Sequence, residues 1–136
     1  EAVTEEELLE KVLGELRKKG YAVRREFSIY LPYQRGDGDG DDADLVGRVF
    51  NRISVDAVAE NDAEILIIEA KKELSRALIG DVITAKLLYE KTQKPSKKVR
   101  AVAVFGSPPK PILLNVCNAL GIETRRVSQD QRRSNI

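Results

Sequence analysis

Asp56, Glu69 and Lys71 are the residues whose types and spacing point to chemistry in this 136-residue sequence. Glu69 and Lys71 stand two apart at the end of the apolar run Ile65-Leu66-Ile67-Ile68, and positions two apart in a strand share a face. Asp56 lies in an equally apolar setting, between Val55 and Ala57-Val58. Two carboxylates and an ammonium gathered at one end of a sheet suit phosphodiester hydrolysis. That reaction needs charge neutralised at the scissile phosphate and a water made nucleophilic. Hard oxygen ligands such as Asp56 and Glu69, with the backbone carbonyl of Ala70 as a further ligand, suit Mg²⁺ or Mn²⁺, which meets both needs. Lys71 could hold the attacking water, accept its proton or stabilise the developing charge. The same trio would also make an ordinary salt-bridged surface. Its place beside apolar runs argues the other way, because buried carboxylates rarely lack partners.

The residue types that are missing narrow the chemistry. There is no histidine, and Cys117 is the single cysteine. These absences remove the commonest general base, an internal disulfide and any multi-cysteine metal site within this sequence. A net charge of +1 gives no overall attraction to polyanions, so a nucleic-acid surface must be a local patch. Aromatic residues make up 5%, with Tyr30, Tyr33 and Tyr89 scattered, which counts against dedicated base stacking on single strands. No apolar run approaches the ~20 residues of a membrane span, no leader is visible, and cysteine is scarce. The expectation is an intracellular, cytoplasmic protein with no membrane partner.

The elements that must position the trio follow from periodicity. Thr4 and Glu7 have capping-box spacing, and Leu9, Val12, Leu13 and Leu16 form one helical face that ends at Lys18, Lys19 and Gly20. Residues 21–29 alternate through Tyr21, Val23, Phe27 and Ile29, which predicts a strand with one apolar face. Residues 49–59 and 63–71 predict two strands joined at Asn61-Asp62. A two-residue tip there sets Asp56 across from Ile67 and makes Glu69 its diagonal neighbour. A buried helix follows over 74–92, on the stripe Leu74, Leu78, Val82, Ala85 and Tyr89. Then come a strand at 99–105, a short helix at 111–120 and a strand at 122–127. The resulting order, α-β-β-β-α-β-α-β, predicts an α/β fold with a central mixed sheet flanked by helices.

The stretch VDAVAENDAEILIIEAKK resembles the core motif of the PD-(D/E)xK, restriction-endonuclease-like nuclease superfamily: an Asp, a hairpin, then an apolar strand ending in Glu-x-Lys. The spacing from Asp56 to Glu69 is similar to that of archaeal Holliday-junction resolvases. The element order matches the superfamily's αβββαβ core over about residues 4 to 127. The resemblance implies a Mg²⁺- or Mn²⁺-dependent endonuclease that hydrolyses DNA phosphodiester bonds, a repair, recombination, viral or defence nuclease with a structure-specific substrate as one option. Asp56 and Glu69 would be metal ligands and Lys71 the catalytic lysine. Many members also carry an acid on the first helix. That place holds Leu9 here, with Glu6 or Glu5 one turn earlier, so Glu6 is the candidate further ligand. Relatives with Gln on the following helix differ from this chain, which has Gly80-Asp81. The alternative is a non-cutting nucleic-acid-binding or scaffold domain of the same fold. A module unrelated to nucleic acid is a further rival. Size and family analogy also suggest a homodimer acting on two strands.

Arg52, four residues before Asp56, is placed to touch the scissile phosphate, and Lys72 is a second candidate phosphate contact. Further basic clusters occur at Arg24-Arg25, at Lys94/Lys97/Lys98/Arg100 and at Arg125-Arg126. Residues 1–127 are expected to form one domain with a mobile loop at about 32–48, followed by a disordered tail at 128–136. Within that loop Asp37, Asp39 and Asp41 alternate like calcium ligands but lack the bidentate glutamate and flanking helices of an EF-hand.

Overall fold

The computed structural model describes residues 3–31 and 52–128. Thr4 opens helix α1 (Glu5–Lys18), its hydroxyl accepting the N–H of Glu7 at 3.1 Å. Three glutamates fill the first turn, and Arg17 and Lys18 fill the last, the charge order a helix dipole favours. Leu8, Leu9, Val12, Leu13 and Leu16 are buried on one stripe. The other elements among the described residues are β1 (Ala22–Tyr30), β2 (Arg52–Glu60), β3 (Glu64–Ala70), α2 (Arg76–Gln93), β4 (Lys98–Phe105), α3 (Pro111–Ala119) and β5 (Glu123–Arg126).

Among the described residues five strands lie in sequence order, β1, β2 and β3 antiparallel and β3, β4 and β5 parallel. This is the mixed α/β sheet that the periodicities predict. Helix α1 covers one face, through Leu9, Val12 and Leu13 against Ala57, Leu66, Ile68 and Val104. Helices α2 and α3 cover the other, where Leu78, Val82 and Cys117 meet Ala101, Ala103 and Phe105. Each parallel connection runs through a helix, so the ends of β3 and β4 and the starts of α2 and α3 share one edge of the sheet.

Two expectations need correction. The β2–β3 turn is longer than an Asn61-Asp62 tip. The Asn61 side-chain oxygen accepts the N–H groups of Ala63 and Glu64, both at 2.9 Å, and the Asn61 N–H donates to the Glu64 carbonyl at 3.1 Å. That closure pairs Glu60 with Ile65 and Ala57 with Ile68. The next positions along the two strands are Asp56 and Glu69, so these face each other directly and Ile67 pairs with Val58.

The alternation of β1 and β2 also departs from the expected single face. Val23, Ala57 and Ala59 pack on the α1 side. Phe27, Ile29, Ile53 and Val55 pack with Ile67 and Tyr89 on the α2 side. Both strands thus change phase between those groups. The change falls at Glu26, whose φ is +51°, and at Asp56, where the pairing of Arg25 with Ala57 and of Phe27 with Val55 skips one rung. A left-handed residue in one strand re-aims the side chains beside it. The predicted loop at 32–48 and residues 49–51 of the predicted strand lie outside the described residues, as does the tail beyond Ser128.

Candidate active site

Glu69 is the last but one residue of β3 and, among the described residues, the buried charged one, at 7% exposure. Its odd position shares the α2 side with Ile65 and Ile67. Asp56, half-buried, reaches it from β2. The Asp56 N–H donates to Glu69 Oε1 at 3.1 Å, and the Ala70 N–H donates to Asp56 Oδ2 at 2.8 Å. At the rung where the β2–β3 ladder stops, each strand's carboxylate therefore accepts a backbone N–H of the other. Each keeps a second oxygen that has no protein partner among the described residues. In an antiparallel strand a residue's N–H and C=O point to the same neighbour, so the Ala70 carbonyl also faces the Asp56 side.

Burial pushes the Glu69 carboxyl up to about 7, and the charge of Asp56 adds to the rise. The Asp56 N–H opposes it, Asp81 on α2 raises it further, and the Lys71 ammonium lowers it. Two carboxylates forced together in this way form a site whose repulsion a cation would relieve. The donor chemistry fits Mg²⁺ or Mn²⁺: two hard carboxylate oxygens and a carbonyl. No cluster of three His, Cys, Asp or Glu side chains suited to a metal occurs among the described residues.

The other predicted residues fall around this pair. Lys71 lies one residue past β3, exposed, with its N–H bonded to the Val104 carbonyl at 3.0 Å. It is near enough to act on Glu69 yet makes no ion pair with any described residue. Lys72 is exposed, and its carbonyl accepts the N–H groups of Gly106 and Ser107. Arg52 is exposed at the first rung of β2, opposite Tyr30. Glu6 and Leu9 line, with Asp56 and Ala70, a cleft of about 230 Å³ whose other walls are Glu5, Arg25 and Glu26. Both Glu6 oxygens accept from Arg25 at 2.8 Å, and Glu10 also pairs with Arg25. Glu6 thus reaches the predicted neighbourhood with its oxygens already engaged.

Sequence reasoning missed Arg25 as the tether of helix α1 and Asp81 as a charge acting on Glu69. Arg25 was hidden by the phase change. Asp81 lies beside Val82 of the buried stripe, a placement with no signal of its own before the helix is docked.

No family model and no curated protein matches the sequence. Among solved structures the fold is similar to the crystal structure of AF1548, a protein of unknown function, with a TM-score of 0.56 and 11% identity. The match covers 88% of this chain and 56% of that one. At that identity the likeness concerns fold alone.

Proposed function

We propose that this chain is a metal-dependent nuclease of the restriction-endonuclease-like type that hydrolyses DNA phosphodiester bonds. The observation that carries the reading is the buried Glu69 carboxyl set against Asp56 where the strand ladder stops, with the free ammonium of Lys71 beside it. A buried carboxyl set beside a second carboxylate resists ionisation unless a ligand relieves the repulsion, and sites with such perturbed groups are enriched in function. Asp56, Glu69 and the Ala70 carbonyl would hold Mg²⁺ or Mn²⁺. Once bound, the ion would supply charge neutralisation at the phosphate and acidify a water. The chain's own residues do the rest. The backbone N–H groups of Asp56 and Ala70 fix the two carboxylates, Lys71 holds the attacking water or the developing charge, and Arg52 and Lys72 contact flanking phosphates. The buried Cys117 suits a reducing cytoplasmic setting, and no helix among the described residues is long and apolar enough to cross a membrane.

A second reading, a binding or scaffold domain that does not cut, is favoured by Leu9 at the place of the helix acid and by the engagement of Glu6 with Arg25. Labelled single-stranded, duplex and four-way-junction DNA, incubated with Mg²⁺ or Mn²⁺ against EDTA, separates the two. The nuclease reading expects cutting that needs metal, is lost in Asp56→Asn, and drops at least ~10²-fold in Lys71→Ala, the scale of a lost general base or charge stabiliser. Binding without cutting of any substrate would hand the site to the scaffold reading. A two-fold dimer belongs to the same proposal: light scattering should give twice 15.2 kDa, and a monomer mass would remove it.

A further inference from the structure

The basic clusters visible in the sequence are mostly engaged by carboxylates. Arg24 and Lys97 meet Glu60, Arg25 meets Glu6 and Glu10, Arg100 meets Glu64 and Glu123, and Arg125 meets Glu123. Other exposed cations without a carboxylate partner among the described residues include two groups: Lys18, Lys19, Lys91 and Lys94 at the C-terminal ends of α1 and α2, where the dipole favours them, and Lys72, Arg76, Lys110 and Arg126. The second group lies at the edge where the parallel strands end. Lys72 follows β3, Arg76 begins α2, Lys110 precedes α3 and Arg126 ends β5. Hydrogen bonds around Gly106 tie two of them, Lys72 and Arg126, together. The Lys72 carbonyl accepts from Gly106 and Ser107, both at 3.0 Å, and Arg126 Nε donates to the Gly106 carbonyl at 3.0 Å.

Their placement opposes the fold's own electrostatics. Helix α1 follows the dipole, acids first and bases last. Helices α2 and α3 have no acid in the first turn and carry Arg76 and Lys110 at their starts instead. A cation there opposes the helix dipole, and an external anion at this edge relieves that opposition. The other flank of the pair is acidic, with Glu5, Glu6 and Glu26 in the cleft walls. Glu73 is interspersed on the basic side, so that rim is a row of separate cations rather than a uniform field. From β3 to β5 is two strand spacings, about 10 Å, or about three nucleotides of rise along one DNA strand.

We propose that Lys72, Arg76, Lys110 and Arg126 form a track for a DNA phosphate backbone, running along the strand-end edge from β5 to the Asp56/Glu69 pair. The track rests on the nuclease reading for what happens at its end, and on the charge layout for binding.

Fluorescence anisotropy of labelled duplex DNA in EDTA tests it without cleavage. The variant Lys72→Ala/Arg76→Ala/Lys110→Ala/Arg126→Ala should bind at least tenfold more weakly. Its salt slope should be shallower by about 3 to 4, at about 0.9 per phosphate contact. Removing four cations from the opposite edge, Lys18→Ala/Lys19→Ala/Lys91→Ala/Lys98→Ala, should change binding less than twofold. The charge-conserving set Lys72→Arg/Arg76→Lys/Lys110→Arg/Arg126→Lys should bind like wild type. If the four-alanine protein does not fold, Lys72→Gln/Lys110→Gln should still flatten the slope by about 2. Equal losses at the two edges, no loss at the strand-end edge, or no salt-sensitive binding by wild type would each overturn the track. Cleavage by wild type with the edge variant unimpaired would sink the track and leave the nuclease reading. Edge-dependent binding with no cleavage in Mg²⁺ would do the reverse.

Discussion

At the scale of single residues, the site's energetics reside in the Glu69 proton. Its carboxyl rises from an ordinary 4.5 to about 7, chiefly through burial and then through Asp56. Between those values the folded protein holds more protons than the unfolded chain, so stability declines as pH rises through the window. At about 1.4 kcal/mol per pKa unit the decline is on the order of 3 kcal/mol. Glu64 works in the opposite sense but below this window, because the Tyr21 hydroxyl and Arg100 hold its carboxylate beneath the usual value. Thermal melts in EDTA should therefore fall by roughly 10 °C between pH 5 and pH 8, and Glu69→Gln should flatten that profile. An equal slope in the variant would move the effect away from Glu69. The residue types of the trio were legible in the sequence because apolar flanks marked them. Their protonation was not, since it depends on Asp81 and on desolvation that exist only after α2 docks on the sheet.

At the scale of elements, the β1–β2 pair carries the information that periodicity concealed. Tyr21, Val23, Phe27 and Ile29 read as one alternating face because a phase change of the chain at Glu26 leaves the sequence parity intact. Asp56 was expected on a regular strand face. It reaches Glu69 instead through a missing rung, and the four-residue closure at Asn61 moved its partner from Ile67 to Glu69. Period-2 spacing survived the two-residue shift, which is why the pairing of the two carboxylates was still foreseen. Glu26 at φ +51° predicts its own mutational signature. Glycine there relieves about 1–2 kcal/mol of left-handed strain, offset by its entropy, whereas valine should destabilise by about the same amount. Urea melts would show this order. A valine variant as stable as wild type would mean that the kink does not constrain the strand.

At the scale of the whole molecule, a net charge of +1 makes the distribution of cations decisive rather than their number. The element order and mixed sheet were readable from hydrophobic periodicity, since α1 and α2 bury continuous stripes and β3 and β4 buried runs. Which cations stay free was not readable, because Arg24, Arg25, Lys97 and Arg100 meet their acids only across elements separated in sequence. With four phosphates contacted, DNA affinity should fall about 10²-fold between 50 and 200 mM salt, measured as the anisotropy midpoint. A salt-independent affinity would place recognition elsewhere.

Calorimetric titration of Mn²⁺ tests whether Asp56 and Glu69 share a divalent cation as proposed. Binding is expected at pH 8 and should weaken as pH falls below 7, because the carboxylate must give up its proton. Asp56→Asn and Glu69→Gln should lose it and Lys71→Ala should keep it. Wild-type protein that takes up no Mn²⁺ at pH 8, or both carboxylate variants binding as wild type does, would contradict the shared site.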